Sequence, residues 1–285
     1  MKPRMKRLSY LLLCCLTFSG SIFAATDMKD KHEHKNTIKN RNHFELIGAP
    51  GIAALSSNNT YLGVTNSETD KLVQTNKDSL NTLAGQFGLG YIYNFHHSKK
   101  YYSDAKKHPN KIQWFPSMEP QLNVYTLSSN SIHGDVWRFN SANFNDLSYS
   151  IPVHSTRLML DLAITVGTWK KLSLYAIGGI GKAWNRVSYS DKDNTASSPC
   201  PDQRLNLNSH SSTSFAWEAG LGLLYNFNDR FSLSAEYLYA SLGKVNFAAT
   251  GSTGTITSPH IVPAKFNLRS QAGLLGLHVA LGKLG

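Results

Sequence analysis

Beyond the first two dozen residues the chain has one cysteine, Cys200, so no intrachain disulfide can brace a small extracellular fold. No apolar run reaches the roughly 20 residues that a spanning helix needs. Acidic residues are fewer than basic ones, 18 against 29. No residue set specifies a reaction or a cofactor. His32-Glu33-His34 and His96-His97 lack a third ligand at a defined spacing, so they are read as exposed histidines and no metal is expected.

What is present begins with Lys2, Arg4, Lys6 and Arg7, an apolar run from Leu8 to Leu16 and small residues up to Ala24 and Ala25. That is the pattern of a cleaved secretory signal, and it sets the expected organisation: signal 1–24, a polar and disordered segment 25–42, one folded domain 43–285. Cys14 and Cys15 follow leucines rather than a small-residue lipobox, which argues against a lipoprotein. Removing the four basic residues of the signal takes the net charge from +11 to +7, a surplus suited to anionic lipid head groups. Export makes nucleic acid the poorer partner.

The strongest signal is alternation at period two. From Phe215 to Phe227, Phe215, Trp217, Ala219, Leu221, Leu223, Tyr225 and Phe227 oppose Ala216, Glu218, Gly220, Gly222, Leu224 and Asn226. Similar splits run over Leu83–Phe95, Met118–Thr126, Arg157–Val166 and Phe231–Tyr239. Strands around Phe44–Leu55, Leu172–Tyr189 and Leu268–Leu281 bring the expectation to eight, with Pro50 predicting a bulge or bend in the first. The connections alternate: Thr168–Lys171 and Asn228–Arg230 are tight, while 56–81, 127–154, 190–213 and 241–267 are long and polar. The basic connection 96–117 breaks that rhythm. An aromatic girdle is expected at the short-turn end, from Tyr93, Phe95, Trp114, Trp169, Tyr225, Phe227 and Phe231.

These features predict an all-β fold, a transmembrane antiparallel up-and-down β-barrel with short periplasmic turns and long outer loops. The pattern over roughly residues 43–285 resembles the eight-stranded outer-membrane barrels of the OmpA transmembrane, OmpX and opacity-protein type. That resemblance implies the outer membrane of a Gram-negative bacterium. It further implies a structural and surface-interaction role without catalysis, with lipopolysaccharide, outer-membrane lipids and a host or cell-surface ligand as partners. Such barrels usually end on an aromatic residue, whereas here Leu277, Val279 and Leu281 supply the last apolar face.

Glu119, Arg157, Asp161, Glu218 and Glu236 fall on the polar face, where a narrow lumen makes lone charges costly, so they are expected to pair, with Lys182 or Arg186 as further cations. Three other readings are open. A lipid A-modifying enzyme would use His210-Ser211-Ser212 with Glu218, although such pairs arise easily in serine-rich loops. A small-solute pore needs an interior path that eight strands seldom leave. A secreted, soluble ligand-binding barrel would turn its apolar face inward, and the small, uncharged residues of the polar face argue against it. Cys200 between two prolines is read as incidental, and Trp137, Phe139, Phe144, Ile256, Ile261, Val262 and Phe266 as strand extensions or a partner surface.

Overall fold

The computed structural model describes residues 42–58, 60–63, 69–76, 82–95, 112–194, 204–253, 256–257 and 264–281. The signal, segment 25–41, His96-His97, the basic run 99–111, Cys200, Ile261 and Val262 lie outside them. Eight long strands are numbered here β1 (His43–Ser57), β2 (Thr82–Asn94), β3 (Ser117–Trp137), β4 (Leu147–Trp169), β5 (Leu172–Asp193), β6 (Leu205–Asn226), β7 (Phe231–Asn246) and β8 (Lys265–Leu281). Each pairs antiparallel with the next, and β8 pairs with β1 from Phe44↔Leu281 to Ser57↔Leu268. The sheet is therefore a closed ring without a free edge, which lets strands satisfy every backbone group inside a bilayer.

The outside of the ring is apolar where a soluble barrel would be polar. Phe87, Leu160, Phe215, Leu221 and Leu275 are 64%, 65%, 63%, 58% and 60% exposed, while Asn123, Arg157, Asp161 and Glu218 are buried within. That orientation eliminates the inside-out soluble barrel. The expected girdle residues Tyr93, Phe95, Trp114, Trp169, Tyr225, Phe227 and Phe231 are all exposed and gather at the tight-turn end. There Asn228 Oδ1 accepts from the amides of Arg230 and Phe231 at 2.8 Å each, closing the β6–β7 turn.

Two expectations need correction. The β1–β8 register is the same on both sides of Pro50, so proline sits in a continuous strand without a bulge, its ring facing outward. All four of the expected long loops are partly strand: β3 to β6 run 21 to 23 residues, about twice what a ~25 Å apolar band requires, and Thr60–Gly63 and Thr69–Gln74 lie within 56–81. Part of the irregular connection before β3 is also strand, because Gln113–Trp114 pairs with Gly167 and Thr168 of β4.

The outer halves of these strands obey a different rule from the inner halves. On β4, Leu147, Tyr149, Ile151 and Val153 point inward above, and Arg157 and Asp161 point inward below. The register slips between Leu127 and Asn130 on β3, between Ser241 and Gly243 on β7, and opposite Val187–Tyr189 on β6. Each slip changes which residues face inward, and Gly243 at φ +80° supplies the left-handed conformation that one of them requires. Above this level a short hairpin, Thr60–Gly63 with Thr69–Gln74, joins β3, and Gly251–Thr253 joins β6.

Candidate functional site

Three levels of the barrel carry chemistry. At the centre of the lumen Arg157 Nε donates to Glu218 Oε2 at 2.8 Å, both side chains buried, and the guanidinium lies 4.2 Å from the Tyr125 ring centroid. A buried pair of this kind is costly to break, because either charge left alone loses both water and partner. Asp161 does not complete an ion pair there. Its Oδ2 instead accepts from Asn123 Nδ2 at 2.7 Å and from the Tyr125 hydroxyl at 3.3 Å. Asp161 packs where Gly179 has no side chain, since a Cβ at that position would collide with Oδ1.

Lower, toward the short turns, Glu236 Oε1 accepts from the Tyr175 hydroxyl at 2.6 Å and from Ser234 Oγ at 3.2 Å. Ser234 also meets His278 Nε2 at 3.1 Å, and His278 Nδ1 lies 3.3 Å from Glu45 Oε2. Glu119 reaches into the same space, its Oε1 fully buried beside Gly90. Glu45, Tyr175 and His278 were not singled out in the sequence, although Glu45 and His278 both fall on the inward phase of their strands.

Just above Arg157, Ser155 Oγ donates to Asn185 Oδ1 at 2.7 Å, and beyond that pair the lumen is packed mainly by carbon. Tyr149 stacks on Tyr189 at 6.2 Å, Tyr189 meets Phe247 at 5.6 Å, and Phe247 meets Phe266 at 5.1 Å. Ile132, Val136, Ile151, Val187, Leu207 and Leu268 pack with them. Phe266, read as a loop residue in the sequence, is thus core, whereas Phe139 and Phe144 remain exposed and meet edge-to-face at 5.5 Å beyond the strands. In this upper tier, outside the membrane-spanning segments, burial lifts the Asp191 carboxyl to about 7 from its usual 3.8.

Lys182 and Arg186 do not enter the interior network. Both project outward from β5, because Ala183, Asn185 and Val187 take the inward positions. Together with His154, Trp184, Ser211 and Thr213 they border the apolar exterior, where β6 changes outward from Phe215 to Thr213, Ser211 and Ser209. His154, Thr156, Trp184, Arg186, Ser211 and Thr213 line a shallow concavity of about 210 Å³, and Arg186 Nε donates to Ser209 Oγ at 2.7 Å. His210, Ser212 and Glu218 are not brought together. They succeed one another along β6, Ser212 and Glu218 standing six positions or about 20 Å apart, and Glu218 is bound to Arg157.

Among solved structures, the Neisserial surface protein A is 12% identical, covering 84% of this chain and 97% of its own, with a TM-score of 0.35. Outer membrane protein OprG of Pseudomonas aeruginosa is 13% identical over 86% of this chain and 99% of its own, TM-score 0.42. The attachment invasion locus protein Ail of Yersinia pestis is 12% identical over 84% and 99%, TM-score 0.31. No curated protein matches significantly in sequence. The family model of the outer membrane protein beta-barrel domain matches residues 49–258, almost three quarters of the chain, and the closed ring with its apolar exterior and polar lower lumen agrees with it: this protein belongs to that family and resides in the outer membrane of a Gram-negative bacterium.

Proposed function

We propose that this barrel is a structural and surface-interaction protein, adhesin-like or opacity-like, without catalysis. The observation that carries the reading is the upper tier. Strands β3 to β6 continue past the apolar band around a close-packed core of Tyr149, Tyr189, Phe247 and Phe266, which builds a rigid platform under the outer loops and leaves the lumen no wide path. An enzyme would need convergent polar groups in an open cleft, and a pore would need a wet lumen. The exposed Phe139–Phe144 pair, beside the Arg138–Asp146 ion pair at 2.6 Å, is an apolar contact point on an ordered base.

The same reading assigns lipopolysaccharide to the collar formed by Lys182, Trp184, Arg186 and His154. Two cations and an aromatic ring sit where the exterior changes from hydrocarbon to water, and guanidinium and ammonium groups at that depth suit lipid phosphates. Purified protein should run faster on denaturing gels before boiling than after. In vesicles it should pass no current, and it should retain lipopolysaccharide several-fold better than a Lys182→Ala/Arg186→Ala variant. On cells, replacing 138–146 by a Gly-Ser linker should abolish adhesion to its surface ligand without changing gel mobility. Steady single-channel conductance, or adhesion indifferent to that replacement, would sink the reading.

A further inference from the structure

The lower lumen has an imbalance that its hydrogen bonds leave standing. Glu45, Glu119, Asp161, Glu218 and Glu236 all face inward, whereas below the upper tier Arg157 is the one guanidinium or ammonium among the described lumen residues, and Glu218 takes it. Carboxylates in so narrow a space are expensive without a counter-charge. Three of these groups converge from different strands: Glu45 of β1, Glu119 of β3 and His278 of β8 place one ligand atom each within 4.8 Å of one another.

The arrangement has the marks of a metal site rather than of a hydrogen-bond network. Glu45 Oε2 and His278 Nδ1 are 3.3 Å apart, long for a charge-assisted hydrogen bond but close to the ligand-to-ligand edge of a tetrahedron with bonds of about 2.0–2.1 Å. Glu119 Oε1 is buried with no donor, and so is Oε2 of Glu236, whose residue is 6% exposed. The other nitrogen of His278 is held by Ser234, which is held by Glu236, and the other oxygen of Glu45 meets His43 Nε2 at 2.9 Å. Outer contacts of that kind fix the ring and carboxylate of a coordinating pair. Gly90 leaves the gap that admits Glu119, since a Cβ there would collide with its Oε1.

We propose that Glu45, Glu119 and His278 bind a divalent transition-metal ion of the zinc type inside the periplasmic end of the barrel. Nitrogen with carboxylate oxygen suits that class, and the ion would neutralise the lower lumen and cross-link three strands. The mouth is near, because Glu45 is the third residue of β1 and His278 is the fourth residue from the end of β8 on the same side.

The test uses the folded mature chain in detergent, with His32, His34, His96 and His97 changed to Asn to remove competing sites, and with bound metal first stripped by chelator. Titration with Zn²⁺ should give one ion per chain and a higher melting temperature, and Co²⁺ should give the visible bands of a low-symmetry nitrogen and oxygen site. Glu119→Gln should weaken binding at least tenfold while the unboiled gel band is unchanged, and Asp161→Asn should leave affinity alone. His278→Gln should act like Glu119→Gln, but if it fails to fold, Glu119→Gln alone decides. A folded chain that binds no Zn²⁺ above buffer, or binds it equally with and without Glu119, overturns the proposal.

Discussion

The barrel solves two solvation problems in one wall, and its halves do so with opposite rules. Below Arg157 the exterior is Leu, Phe and Trp and the interior is Asn, Asp, Glu and Tyr hydroxyl. Above it the exterior is Ser, Asn, His and Arg and the interior is Tyr, Phe, Ile and Val. The lower half takes its burial energy from lipid and spends its interior on hydrogen bonds, while the upper half folds like a soluble domain. A single strand such as β4 carries both patterns end to end.

The largest effect should come from unbalancing the lower half. Arg157→Ala leaves Glu218 buried and alone, and unfolding measured in denaturant should show a loss of about 3–5 kcal/mol. Replacing Arg157 by Met and Glu218 by Leu together should recover most of it, because the lost charges no longer need each other. If the double variant is as unstable as the single one, the lower lumen depends on its charges for more than pairing. In the upper half, Ile151→Ala should cost about 2–4 kcal/mol, and hydrogen exchange should rise in the outer strand halves while the membrane-embedded amides stay protected. Uniform loss of protection would show the two halves to be one cooperative unit.

A smaller effect separates the halves by pH. Burial raises Asp191 in the folded state, so the folded chain holds the proton more tightly than the unfolded chain. Stability of the upper tier should therefore fall as pH rises from about 4 to about 7. Asp191→Asn should flatten that slope in outer-strand hydrogen exchange once intrinsic rates are removed. The smallest change is expected beyond the strands, where Phe139→Ser with Phe144→Ser should alter stability by less than about 0.5 kcal/mol while removing the exposed contact.

The lower half was legible in the sequence because lipid enforces clean alternation over ten or more residues, as from Phe215 to Phe227. The upper half was not, although β4 alternates without a break from Leu147 to Val153. Its slips near Leu127–Asn130, Asn208–Ser209 and Ser241–Gly243 shift the inward phase by one residue, and its exterior of Ser and Asn has the composition of a loop. Lys182 illustrates a further limit. With Gly on one side of β5 and apolar residues on both faces below it, only the finished ring tells which way the ammonium points. Glu45 and His278 stand 233 positions apart, and no local spacing could join them before β8 closed on β1.

The reversal between Phe215 and Thr213 also has a mechanical meaning. Sliding the barrel outward would carry Leu158 and Phe215 into water, and sliding it inward would drag Arg186 and His154 into hydrocarbon, where an arginine costs up to about 2–4 kcal/mol at mid-depth. The wall thus has a detent along its own axis. Tension applied to the outer platform, as by a partner pulling away, is borne by the bilayer at a fixed depth rather than by slippage of the strands.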